Sequence, residues 1–135
     1  MYDAISAVAC VLRESKLVAG GGAVETSIAL HLKDLASRTA TSDRFIYEAF
    51  ADGLEIIPSI LCENIGINKL LTVMQLEKIQ REKGPQYGIS GQANGVANMA
   101  EENVVQPSIV TKSAISLAVE FVCSILKVDD IIMSR

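Results

Sequence analysis

The 135-residue sequence has no tryptophan, one histidine and three prolines, and only 4% of its residues are aromatic. With few rings available, the apolar half of the chain is mostly Ala, Val, Leu and Ile, a composition suited to closely packed helices. Basic clusters are also absent. The net charge is −4 and the pI about 5.0, with the lysines and arginines scattered, which argues against a nucleic-acid partner. No CxxC pair or His-rich stretch accompanies Cys10, Cys62 and Cys123, which stand far apart in apolar runs. They are expected to be buried free thiols in a reducing compartment. No secretory signal is visible, since Asp3 and Arg13 interrupt the opening residues. The longest apolar run, 114–128, holds Glu120 and Lys127 and is expected to be too short and too charged to span a bilayer.

What is present is helical periodicity. Residues 3–17 carry Ile5, Val8, Ala9 and Leu12 at three-to-four spacing, with Asp3 where a carboxylate suits a helix start. A second helix is predicted over 23–36 with Ile28, Leu32 and Leu35 inward. A third, capped by Ser42 or Asp43, follows with Ile46, Phe50, Leu54 and Ile57 inward. Pro58 predicts a kink or restart, and Gly66 the end of that helix. A fourth helix is predicted over 69–82, with Leu70, Val73, Met74 and Leu76 apolar. Glycines and asparagines at 86–98 predict a β-hairpin or ordered loop. Pro107 suits the first position of the longest helix, and the tail KVDDIIMSR at 127–135 reads as a short strand. The fold class is mainly α, a single-domain bundle of about five to six helices with a small β-hairpin and a C-terminal strand.

Several chemistries lack their signatures. There is no GxSxG, HExxH or Walker pattern, and His31 stands alone in a helical stretch. The acidic pairs Glu101-Glu102 and Asp129-Asp130 read as solvated surface. The conspicuous feature is Gly20-Gly21-Gly22, in VAGGGAVE. Glycine-rich backbone ahead of a helix can cradle a phosphate or let a nucleotide lie against the chain. It can equally be a tight junction between two helices, and on composition alone the junction is the commoner explanation. Asp3 is open in the same way, as a helix cap or a catalytic base.

A wider set of motifs in fixed order resembles the group II chaperonins, including the eukaryotic cytosolic chaperonin. They are YDAISAV at 2–8, VAGGGAVE at 18–25, AFADGLEIIPSILCENIGIN at 49–68, YGIS at 87–90, VVQP at 104–107 and SILKVDDII at 124–132. Their combination is most similar to the delta branch. The resemblance covers the C-terminal half of an equatorial domain, beginning at the end of the intermediate domain, so it implies that the chain is a fragment.

The resemblance implies an ATP-dependent molecular chaperone. Such a subunit works in a cytoplasmic hetero-oligomeric double ring with other chaperonin subunits and assists proteins such as actin and tubulin. Asp3 falls at the position of the catalytic aspartate, which places the water that attacks the γ-phosphate. Gly20, Gly21 and Gly22 match glycines that pass beside ATP. Gly88, Ile89 and Ser90 match the segment lining the base pocket, and Gln106 stands where many members have an acidic residue reaching the ribose. The phosphate loop of Gly-Asp-Gly-Thr-Thr character, the Mg²⁺ ligands and the client-binding region have no counterpart in these residues. ATP hydrolysis is therefore expected of a full-length subunit and not of this chain alone. Self-association is expected through surfaces left uncovered. The competing reading is a non-catalytic helical interaction module that binds a ring or partner protein.

Overall fold

The computed structural model describes residues 2–129. Five helices are assigned in them: α1 (Tyr2–Arg13), α2 (Ala23–Arg38), α3 (Asp43–Ile65), α4 (Lys69–Lys83) and α5 (Ser108–Leu126). Four short strands accompany them: β1 (Leu17–Ala19), β2 (Tyr87–Ser90), β3 (Gly95–Asn98) and β4 (Val105–Pro107). The chain divides into two compact units, one of Val18–Val105 and one of Met1–Leu17 with Gln106–Arg135. β1 pairs with β4.

The larger unit holds the core. α2, α3 and α4 pack with the antiparallel β2–β3 hairpin, in which Tyr87 faces Asn98 and Ser90 faces Gly95. Cys62, Leu76 and Ile89 are buried at its centre, with Leu61, Ile65, Val73, Tyr87 and Val96 against them. The hairpin matches the sequence expectation at 86–98. Gly66 closes α3 with φ 83°, its N–H donating to the carbonyls of Cys62 and Glu63. Asn68 caps α4 by accepting from the Leu71 N–H at 3.1 Å.

The inward faces differ from those expected. α2 buries Ala23, Thr26, Ala29, Leu30 and Ala36, while Leu35 is exposed. α3 buries Ala51, Leu54, Pro58 and Cys62, and leaves Ile46, Phe50 and Ile57 outward. The stripe of small residues is what lets α2 and α3 approach closely, and periodicity of large side chains could not reveal it. α3 does not restart at Pro58. The ring is fully buried, 3.1 Å from where a Cβ on Gly22 would stand, and the helix continues with the Ser59 hydroxyl donating to the Glu55 carbonyl.

In the smaller unit α1 ends at Arg13, short of the expected 17. Beyond it the Lys16 carbonyl accepts from the Ser108 N–H at 2.9 Å, and the chain enters β1. Pro107 sits just before α5 rather than as its first residue. α5 begins earlier than the apolar run read from the sequence. Its 19 residues, with mean hydropathy 1.8, are long and apolar enough to cross a membrane by length and composition, whereas the sequence expectation concerns the later run 114–128. α1 buries no residue and α5 only Ser108 and Thr111. The three cysteines are free thiols, as expected, but the expected burial holds only in part. Cys62 is buried, and burial raises its thiol pKa, whereas Cys10 is half-buried and Cys123 exposed, on helices whose apolar faces are largely uncovered among the described residues. The expected C-terminal strand falls mostly at 130–135, outside the described residues.

Candidate functional site

The glycine triplet is a turn between β1 and α2, folded onto β2. Gly20 donates to the Val104 carbonyl at 2.9 Å, and its own carbonyl accepts from Ala23 at 3.1 Å. Gly21 and Gly22 take left-handed φ of 63° and 72°, a region costly for any residue with a Cβ. The Gly22 carbonyl then starts α2 by accepting from both the N–H and the hydroxyl of Thr26. Across the turn, the Ile89 N–H donates to the Gly21 carbonyl at 2.8 Å.

The close approach is reciprocal. A Cβ on Gly21 would stand 2.7 Å from both the Ile89 carbonyl oxygen and the Met99 sulfur. A Cβ on Gly88 would stand 2.7 Å from the Gly20 carbonyl oxygen and 2.9 Å from that of Gly21. Glycine is thus demanded at these positions by the chain's own backbone, independent of anything else that passes beside the turn. Ser90 ends β2 with its hydroxyl engaged. It donates to Glu102 at 2.7 Å and accepts from the N–H groups of Gln92 and Ala93, holding the hairpin turn. Of the expected site residues, Gly20, Gly21, Gly22, Gly88, Ile89 and Ser90 therefore form one contiguous patch in the larger unit.

Asp3 and Gln106 belong to the smaller unit. Asp3 lies in the first turn of α1, exposed, where a carboxylate also suits the helix dipole. Gln106 is half-buried in β4 and donates to the Thr111 hydroxyl at 2.8 Å. Nearby, Glu14 accepts from Lys112 and from the Ser108 hydroxyl. The bond from Lys112 is the main cause of its lowered pKa.

What the glycine turn and β2 present to a nucleotide is uncharged backbone. Phosphate chemistry is missing. The sequence has no Gly-Asp-Gly-Thr-Thr loop. Among the described residues no three His, Cys, Asp or Glu side chains group as a metal site requires. The residues present do not fit the triphosphate or its Mg²⁺ by themselves. Reading the sequence missed two residues that shape the patch. Met99, fully buried beneath Gly21 and Gly88, is a lone apolar residue outside any period. Gln80, buried on α4, sits in a run of polar residues that reads as solvated.

The chain matches the TCP-1/cpn60 chaperonin family over residues 1–135. It is 39% identical over 135 residues to T-complex protein 1 subunit delta of Bos taurus, covering all of this chain and 25% of that protein. The subunits of the same name from Caenorhabditis elegans and Saccharomyces cerevisiae are 41% and 40% identical. The match covers 99% and 100% of this chain, and 25% and 26% of theirs. The chain thus spans about a quarter of the length of these curated relatives. Its fold is similar to the open-state monomer of a group II chaperonin from Methanococcoides burtonii, with TM-score 0.85 and 29% identity. That match covers 94% of this chain and 32% of that one.

Proposed function

The chain belongs to the TCP-1/cpn60 chaperonin family, and from that membership we propose that it serves as the C-terminal equatorial part of an ATP-dependent chaperonin subunit in a cytosolic hetero-oligomeric ring. The carrying observation is the family match over the whole chain, and the glycine turn locked on β2 supports it. In this reading Gly20, Gly21 and Gly22, with Gly88, Ile89 and Ser90, form a wall beside the base and ribose of ATP. Gln106 reaches the ribose with an amide, without the charge assistance a carboxylate would give. Asp3 orients the attacking water, since placing that nucleophile is much of what a protein contributes to phosphoryl transfer. The groups for the triphosphate and Mg²⁺ come from residues beyond this chain. So do the surfaces that hold unfolded clients such as actin and tubulin. The second reading, a non-catalytic module that joins a ring, is favoured by the missing phosphate chemistry.

A chimera separates the two. These 135 residues replace the matching quarter of the Saccharomyces cerevisiae delta subunit, and assembly and ATP turnover of the purified ring are measured with Asp3 intact and as Asp3→Ala. Rings that form and lose that subunit's turnover in Asp3→Ala support the catalytic reading. Rings that form with turnover indifferent to Asp3 support the module. Failure to enter rings overturns both.

A further inference from the structure

We propose that Gln80 is a positioning residue that sets the spacing between the glycine turn and β2; its importance for nucleotide rests on the reading above. Gln80 lies near the end of α4 and is 7% exposed. Its amide Nε2 donates to the Ala23 carbonyl at 2.9 Å and to the Tyr87 carbonyl at 2.8 Å. Both hydrogens of one NH₂ group are thereby committed to two segments far apart in sequence. Ala23 directly follows Gly22, and Tyr87 directly precedes Gly88. One planar group therefore spans the two strips of backbone whose bare Cα atoms face each other.

The geometry fixes the sense of the amide. Two carbonyls can be served only by the nitrogen, because an oxygen there would face two acceptors. The Gln80 Oε1 is left buried without a hydrogen-bond partner among the described residues. An orphaned buried acceptor is unfavourable, so the two donated bonds must outweigh it. A residue chosen only to fill space would not carry that orphan. The clearance between the turn and β2 is narrow: the Gly21–Ile89 bond is 2.8 Å, and a Cβ on Gly88 would overlap the Gly20 carbonyl. A shift of a few tenths of an ångström here would break the register of the whole wall.

The test is amide hydrogen exchange on this chain, parent against Gln80→Met and Gln80→Glu. Gln80→Met keeps length and bulk and removes both donors. The protection factor at the Ile89 amide is expected to fall about tenfold, as loss of a net hydrogen bond implies, with α3 amides from Leu54 to Cys62 unchanged. Gln80→Glu supplies a pH signature that filling space cannot. Only its protonated form can donate to one of the carbonyls, so Ile89 protection should recover on acidification in this variant and not in Gln80→Met. Should Gln80→Met unfold, the pH titration of Gln80→Glu decides alone. Unchanged Ile89 protection in Gln80→Met, loss spread evenly through α3, or no pH-dependent recovery in Gln80→Glu overturns the proposal. The nucleotide reading fails separately: Mg-ADP that leaves Gly21, Gly88 and Ile89 exchange unaltered in the ring-borne parent chimera counts against the wall and not against the role of Gln80.

Discussion

The Ile89 N–H donates to the Gly21 carbonyl at 2.8 Å, and a Cβ on Gly21 would stand 2.7 Å from the Ile89 carbonyl oxygen. The two backbones are therefore as close as a strand pair, with no room for a side chain. Gly21→Ala is expected to destabilise the chain by about 2–4 kcal/mol, from the left-handed φ of 63° and a clash with backbone that cannot retreat. Gly21→Val should be worse. The measurement is urea unfolding in nucleotide-free buffer. A midpoint unchanged from the parent would mean the close approach is absent in solution. Nucleotide affinity in a Gly21→Val variant carries little information, because the variant disturbs the wall before any ligand arrives.

Much of the fold was legible because its signals are local. Gly66 closing α3 and the hairpin at 87–98 follow from glycine and turn chemistry. The inward faces of α2 and α3 were not legible, because Ala23, Ala29, Ala36 and Ala51 give a weak hydrophobic signal and owe their burial to helix–helix approach. The restart read at Pro58 failed for a related reason: its ring packs at that approach, and the helix runs through it. For the site, the glycine triplet was visible and the reason for it was not. Residues more than sixty positions later, Gly88 and Ile89, make glycine necessary, and no window of sequence contains both.

Ser90 illustrates a side chain with its capacity already used. Its hydroxyl serves Glu102, Gln92 and Ala93 at 2.7, 3.2 and 3.1 Å. Ser90→Ala should cost about 1–2 kcal/mol, since the carboxylate and two turn N–H groups lose a partner that water replaces only in part. Exchange of the Gln92 and Ala93 amides is the readout, and they should speed up before any amide of α3. If their rates do not change, the hydroxyl does not hold the turn.

Lys33 on α2 pairs with Glu55 on α3 and with Glu77 on α4, joining three helices through one ammonium. Partial burial raises the Glu55 pKa above its ordinary 4.5. The Glu77 carboxylate pushes the same way, and Lys33 opposes. Burial would lower the Lys33 pKa, but its bonds to Glu55 and Glu77 prevail and hold it above 10.5. A carboxyl with a raised native pKa favours the folded state when protonated. Its contribution is full below 4.5 and is lost as pH rises through the native value. Lys33 contributes fully below 10.5, and its contribution is lost as pH rises through its raised value. Glu55→Gln should therefore flatten the acid-side slope of stability against pH. Lys33→Met leaves two carboxylates facing each other and should cost about 1–3 kcal/mol at neutral pH, recovering on acidification. The check is thermal unfolding across pH. A Lys33→Met profile parallel to the parent's would show that the three groups do not interact.

The smaller unit offers the last prediction. Ile5, Val8 and Leu12 on α1 are 65%, 61% and 80% exposed, and Leu117, Phe121 and Ile125 on α5 are 64%, 67% and 54% exposed. The spacing on α5 is four residues, which places the three on one stripe of the helix. Contiguous apolar surface of this kind rarely remains free in water. These faces are uncovered among the described residues. The chain is expected to self-associate with rising concentration. Leu117→Glu with Phe121→Lys should shift sedimentation toward the monomer while preserving helix content, because both side chains are mostly exposed. The pairing of opposite signs at four-residue spacing also supports the helix itself. A parent that sediments as a monomer at high concentration would overturn the expectation. A double variant that associates as strongly as the parent would place the contact elsewhere than on α5.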